Sequence, residues 1–254
     1  MDQHEQSYRD AIFFVGDPHG LTAWVSTEIA PLRPAAVVFL GDFDLSYPLE
    51  REVEPLTEVG TQVWWIHGNH DTDRIEYYSR LFRCQAPLRE RNLHAQVRVI
   101  AGLRIAGLGG VFKGRVWKPE PGTPSEKQMR ARTRKAWLHA QSSGSRSPAE
   151  LPLALRDAIF WEDYEALWGK QADVLVCHEA PTSHRHGFEA IDDLAESMGV
   201  KVVVHGHHHT DYQATIRNGR IKVVGVGLAG VVALAPSTKE ISAVLQGVRS
   251  NRSV

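Results

Sequence analysis

Eight polar residues stand where short apolar runs break into polar, mostly glycine-bearing turns. They are Asp17 and His19 in Gly16-Asp17-Pro18-His19-Gly20, Asp42 in Gly41-Asp42-Phe43-Asp44, Asn69 and His70 in Gly68-Asn69-His70-Asp71, then His178, His205 and His207. Carboxylate, imidazole and amide oxygen together suit a pair of borderline-hard divalent ions such as Mn, Fe or Zn. Residues two apart in extended chain point the same way, so Asp17 with His19, and His205 with His207, can each offer two groups to one site. The adjoining glycines let the backbone turn sharply and approach closely. No cysteine cluster has zinc-finger spacing, which excludes a closed structural zinc site. The count of 13 histidines, many in the last third of the chain, fits the same reading.

Such residues must be carried by elements that end at one place. The runs Ala11–Val15, Ala36–Leu40, Gln62–Ile66, Asp173–Cys177 and Lys201–Val204 have strand length and lead straight into the turns. Their continuous β-branched character predicts strands buried on both faces. Leu21–Ile29, Asp73–Phe82 and Phe188–Met198 have helical character. Alternation of this kind predicts an α/β sheet, whose ligands gather at the carboxyl ends of its strands. From Tyr212 onward the pattern becomes strands joined by close turns, with Asn218-Gly219 as a hairpin signal, and predicts a second, more antiparallel sheet. Residues 113–148 are rich in Pro, Gly, Ser, Lys and Arg and read as a basic insertion with one short helix, Ser125–His139. The rest reads as a single domain over 1–254.

Composition excludes several classes. Hydrophobic residues make up 43% of the 254, too many for a disordered chain. Lys and Arg number 29 against 30 Asp and Glu, so no global charge draws the chain to nucleic acid or anionic lipid. No apolar run has the length of a membrane span. Two cysteines, Cys84 and Cys177, make no disulfide framework, and the first residues lack a basic-then-apolar pattern. A cytoplasmic setting with no membrane partner is the expectation.

Taken in order, GDPHG, GDFD, GNHD, the isolated His178 and the GHHH run resemble the blocks of calcineurin-like metallophosphoesterases, over roughly Phe13 to Thr210. Matched motif by motif, the resemblance implies one metal held by Asp17, His19, Asp42 and His207. It implies a second held by Asp42, Asn69, His178 and His205, with Asp42 bridging. The implied fold is a four-layer αββα sandwich, two packed β-sheets flanked by helices. The implied cofactors are two divalent metal ions, and the implied reaction is hydrolysis of phosphate mono- or diesters. Two dications roughly 3.5–4 Å apart lower the pKa of a bridging water and give hydroxide at neutral pH. By the same resemblance His70 protonates the leaving alkoxide. A histidine beside two dications needs a carboxylate to stay protonated, and Asp44 and Asp71 are the candidates.

The second block departs from the Ser/Thr protein phosphatase branch, which has GD, two residues, then DRG. Here Asp44 comes one residue early and Leu45-Ser46 stands in place of Arg-Gly. The phosphate-gripping arginine of that branch is missing there, so a protein phosphatase is the alternative and a small phosphorylated molecule or nucleotide the expected substrate. Arg74, just after GNHDTD, is a candidate to replace that arginine. Asn69 is a candidate substrate contact as well as a ligand. Lys113, Arg115 and Trp117 open the basic stretch and are its candidates for touching substrate, a stacking Trp favouring a nucleotide base. The stretch itself reads as a solvated loop, a lid over an anion or a nucleic-acid contact, and the last makes a nuclease or RNA-processing enzyme a further alternative. His184 and His186 read equally as rim residues or exposed loop histidines. A non-catalytic metal-binding scaffold is the rival from outside the enzymes; degenerate relatives of that sort lose ligands, and here all are present.

Overall fold

In a buried strand alternate side chains face opposite ways, and this chain covers both faces of both its sheets. The structure, a computed structural model, describes residues 8–121, 129–141, 150–238 and 240–245. The first sheet contains β1 (Ile12–Val15), β2 (Ala36–Phe39), β3 (Gln62–Trp65), β10 (Val231–Ala235) and β11 (Glu240–Leu245), in the order β11-β10-β1-β2-β3. Strands β1, β2 and β3 run parallel, and β10 pairs antiparallel with β1. The second sheet contains β4 (Gln96–Ile100), β5 (Leu103–Leu108), β6 (Val174–Cys177), β7 (Val202–His205), β8 (Tyr212–Ile216) and β9 (Ile221–Gly225), in the order β4-β5-β6-β7-β9-β8.

Ile12, Phe14, Val38 and Leu40 from the first sheet meet Ile105, Val174, Val176 and Val204 from the second, forming the layer between the sheets. Each such side chain, fully buried, contributes about 1.5–3 kcal/mol. The alternate residues Phe13, Val15, Val37 and Phe39 face outward, under α1 (Thr22–Ile29), α2 (Leu49–Glu52), α3 (Glu54–Glu58) and α4 (Ile75–Phe82). On the other side Leu175, Cys177, Val203 and Val223 pack under α5 (Arg134–Ala140), α6 (Trp161–Glu165) and α7 (Glu189–Ser197). The result is the four-layer sandwich. Among the described residues no helix is long and apolar enough to cross a membrane.

The late strands do not form a sheet of their own. The hairpin of β8 and β9 joins β7 through a parallel pairing of β9, whereas β10 and β11 cross to β1. Each half thereby supplies hydrogen-bond partners to a buried strand whose edge would otherwise keep unpaired N–H and C=O groups.

The basic stretch also differs from its expectation. Val116, Trp117, Ala131 and Trp137 are buried in the outer core of the second sheet, so its described parts are structural rather than a solvated loop. Its helix starts at Arg134, where the Thr133 hydroxyl accepts from the Ala136 N–H at 3.0 Å, rather than at Ser125. Residues 122–128 and 142–149 lie outside the described residues. Trp117 is 0% exposed, its ring 4.9–5.3 Å from those of Phe112, Trp161 and Tyr164. Its faces are taken by protein, which corrects the expectation that it stacks on substrate. Trp117→Ala is expected to cost about 3–5 kcal/mol in urea unfolding while leaving KM for a small phosphate ester unchanged.

Candidate metal centre

The turns that follow β1, β2 and β3 meet those that follow β6 and β7 at one end of the sandwich, and bring Asp17, Asp42, Asn69, His178 and the histidine run together. Two glycines permit the approach. A side chain at Gly68 would strike the Asp42 carboxylate and the His178 ring, and one at Gly206 would strike Asp17. The backbone also adopts the left-handed region at His19 (φ 39°), Asp42 (φ 54°), His207 (φ 71°) and His209 (φ 50°). That region disfavours residues with a Cβ.

Asp17 and Asp42 are buried side by side. Neither Asp17 oxygen has a hydrogen-bond partner of good geometry; His178 Nδ1 lies 3.7 Å from one and His209 Nε2 3.5 Å from the other. Burial, with the Asp42 charge adding to it, pushes Asp17 up to about 7 against the pull of His178 and, more weakly, of the nearby His207 N–H. Burial also raises Asp42, but the charge and N–H of His178 and the His70 N–H outweigh it and hold that carboxyl well below the usual range. Conversely burial lowers His178, and Asp42 and Asp17 reverse this, lifting it to about 10. A buried carboxylate pair that retains a proton nearby is a site where a cation can take the proton's place.

The histidines are held for ligation. His178 Nδ1 donates to the Leu40 carbonyl at 2.8 Å, so Nε2 faces Asp42 at 3.3 Å and Asn69 Oδ1 at 3.1 Å. His19 Nδ1 pairs with Asp44 at 2.9 Å, so Nε2 faces Asp42 at 3.8 Å and His209 Nε2 at 3.0 Å. Fixing one ring nitrogen in this way presents the other to an ion. The donors fall into two groups that share Asp42, namely His19, Asp42 and His209, and Asp42, His178 and His207. A third group, Glu179, His207 and His208, shares His207 with the second.

In the histidine run the donor groups differ from the expected ligand sets: they contain His207 and His209 and leave out His205. His205 is spent elsewhere: Nδ1 donates to the Gly206 carbonyl at 2.9 Å, and Nε2 lies 2.7 Å from the Tyr212 hydroxyl. The strand runs through His205, and its side chain stays within the protein; His207 and His209 come after the turn. His209, which the expected ligand sets omit, belongs to the first donor group. Loss of a group behind a metal ligand costs about 10–100-fold in affinity, and His209→Ala is expected to cost at least that in a Zn competition titration. His205→Gln is expected to keep two ions bound and lower stability instead, by about 1–3 kcal/mol.

The carboxylate that touches the His70 ring is neither of the two expected. His70 Nδ1 lies 2.7 Å from Asp73, while its backbone N–H donates to Asp42 at 2.8 Å. Asp44 is engaged with His19. Asp71 is buried and accepts the N–H groups of Asp42, Phe43 and Gly68 at 2.8–3.0 Å, which pins the turns after β2 and β3 together. Of the other candidates, Arg74 is exposed, its guanidinium 5.6 Å from the Tyr77 ring. Lys113 is neutralised by Asp157 at 2.6 Å and donates to the Ala154 carbonyl at 2.8 Å. Arg115 is exposed beside Arg130 and Trp137. None of the three has a bond to the metal residues among the described contacts. His184 stacks on His208 with ring centroids 3.9 Å apart, and His186 lies 5.7 Å from His184, so both sit beside the histidine run.

Two packed mixed sheets thus carry, at the carboxyl ends of their strands, two donor groups that share Asp42. The calcineurin-like phosphoesterase family matches residues 11–211, and the chain belongs to it. An uncharacterised protein of Haemophilus influenzae is 40% identical over 207 residues, 79% of this chain and 84% of that protein. The fold is similar to that of TT1561 of Thermus thermophilus, with a TM-score of 0.56 and 17% identity over 92% of this chain and 98% of that one. It is similar as well to a dimetal phosphatase from Danio rerio, with a TM-score of 0.52 and 12% identity over 91% of this chain and 93% of that one. The family is one of dimetal enzymes, and the His and Asp groups here are suited to such ions.

Proposed function

We propose that the chain hydrolyses phosphate mono- or diesters of small molecules or nucleotides at a two-metal centre. Asp17, His19, Asp42 and His209 would hold one ion, and Asp42, Asn69, His178 and His207 the other. The observation that carries this reading is Asp17, a wholly buried carboxylate with two unpartnered oxygens facing the ligating histidines. Left alone, such a group is expensive to bury; beside a cation it is not. When bound, two divalent ions lower the pKa of a bridging water and neutralise phosphoryl oxygens.

The protein's own residues do the rest. Asp44 and the Leu40 carbonyl orient His19 and His178. Asp71 fixes the turns that carry Asp42 and Asn69. His70, on the solvent side with its Nδ1 held by Asp73, presents Nε2 to donate a proton to the leaving oxygen. The reading favours Mn, Fe or Zn as the ions, by the mixture of oxygen and nitrogen donors.

The test is hydrolysis of p-nitrophenyl phosphate and bis(p-nitrophenyl) phosphate by chelator-stripped protein, with Mn, Fe(II), Zn or Mg added back. Restored turnover is expected, and the ratio of the two substrates distinguishes a phosphatase from a phosphodiesterase. No turnover with any ion, from folded protein, overturns the reading. Because the ions bind only the folded site, a restoring metal at about a thousand times its Kd is expected to stabilise the fold by about 4 kcal/mol, read as a rise in Tm that EDTA reverses.

A further inference from the structure

The third donor group lies beside the two that share Asp42, and two of its three residues have no part in them. Glu179, His207 and His208 each bring one ligand atom within 4.8 Å of the other two. Two imidazoles and a carboxylate are a set that zinc takes in three-ligand sites open at a fourth position. Glu179 directly follows His178 and is 4% exposed. One of its oxygens accepts the Phe112 N–H at 2.9 Å, and the other has no hydrogen bond among the described contacts. His178 and Lys118 act on it only through space. A carboxylate buried with so little compensation is costly unless a cation stands against it.

The histidines have nitrogens to spare. The His208 N–H donates to the Gly206 carbonyl and the Thr210 hydroxyl to the His208 carbonyl, each at 2.9 Å, which fixes the turn. The His208 ring stacks on His184 and lies 4.6 Å from the ring of His207. Its Nε2 is buried with no hydrogen-bond partner, and neither nitrogen of His207 has one among the described contacts. Both residues are partly exposed, so an ion reaches them from solvent. Zinc binds nitrogen at about 2.0–2.1 Å, and needs no cavity beyond the space between ligand atoms this close.

We infer that Glu179, His207 and His208 form a third cation site, selective for zinc over magnesium, which fills after the catalytic pair and draws His207 from the second ion. The place of His207 on that ion rests on the two-metal reading above. Magnesium prefers oxygen ligands and gains little from two imidazoles. Without His207 the second ion keeps Asp42, Asn69 and His178, so excess zinc slows the enzyme without emptying its centre.

The experiment equilibrates the full chain with a rising series of buffered free Zn and counts bound ions by elemental analysis. At the top of the series the unchanged protein is expected to bind one more Zn per chain than His208→Phe, and in excess Mg the same number of ions. Phenylalanine keeps a flat ring on His184 and removes the ligand; an unchanged Tm in EDTA checks the fold. Glu179→Gln is expected to lose the same ion. The Zn concentration that halves p-nitrophenyl phosphate turnover is expected to rise at least about tenfold in His208→Phe, the lower cost of losing even a group behind a ligand. Equal Zn counts in the unchanged protein and His208→Phe overturn the inference. So does loss of the extra ion in His186→Ala, which would place it on the exposed loop. The count needs no turnover: an extra ion without turnover sinks the phosphoesterase reading alone, and equal counts with turnover intact sink the third site alone.

Discussion

Asp42→Asn is expected to abolish hydrolysis, with a loss of at least about a hundredfold, more than the usual cost of removing a group behind a ligand. Asparagine keeps the shape and can still accept the His70 N–H through its oxygen. It loses the charge that both donor groups share. Elemental analysis after dialysis is expected to fall from two ions per chain, and the metal-induced rise in Tm to shrink. Turnover and metal content near those of the unchanged protein would sink the two-ion assignment, since among the described residues no other belongs to both His19–Asp42–His209 and Asp42–His178–His207.

His70→Gln is expected to slow alkyl phosphate esters by about 10²–10⁴, the range for losing a general acid, and nitrophenyl esters by only a few-fold. The difference arises because nitrophenolate leaves without a proton and an alkoxide does not. Asp73→Asn is expected to give a smaller loss with the same leaving-group dependence, because Asp73 holds His70 at 2.7 Å. Asp71→Asn is expected to behave otherwise. Its carboxylate accepts three backbone N–H groups, so the variant loses stability, by about 1–3 kcal/mol, without a leaving-group signature. Equal losses for both ester types in His70→Gln would remove His70 from the acid role.

What could be read from the chain before its structure was what depended on short range. The continuous apolar runs required strands covered on both faces, and the glycine turns at their ends required one shared site. Asp17, His19, Asp42, Asn69 and His178 stand at those turns, and the resemblance alone implied how they divide between two ions. The later strands were harder, because Tyr212–Ile216 and Val231–Ala235 look alike in sequence and differ only in which distant edge each completes. The histidine run was ambiguous for a related reason. Period-two spacing pairs His205 with His207 as well as it pairs His207 with His209; only the end of β7 at His205, and the Tyr212 hydroxyl waiting there, decide between them. Asp73 was hidden behind the adjacent Asp71 and the second-block Asp44, since a 3-10 turn over His70–Thr72 brings the third residue on round to the histidine ring. Trp117 misled because composition around it is polar while its own contacts are not.

The left-handed backbone at His19, Asp42, Asp44, His207 and His209 sets this protein against any search for heat resistance alone. Each such residue costs on the order of 1 kcal/mol relative to glycine, so glycine is the easy stabilising change at each of these places. Asp44→Gly would relax one turn and release His19 from its holder. A laboratory population selected only for surviving high temperature would therefore drift toward glycine around the metal turns and become inactive as it hardened. Selection for growth on a phosphate ester at the same temperature would have to find its stability elsewhere, in the outer helical layers.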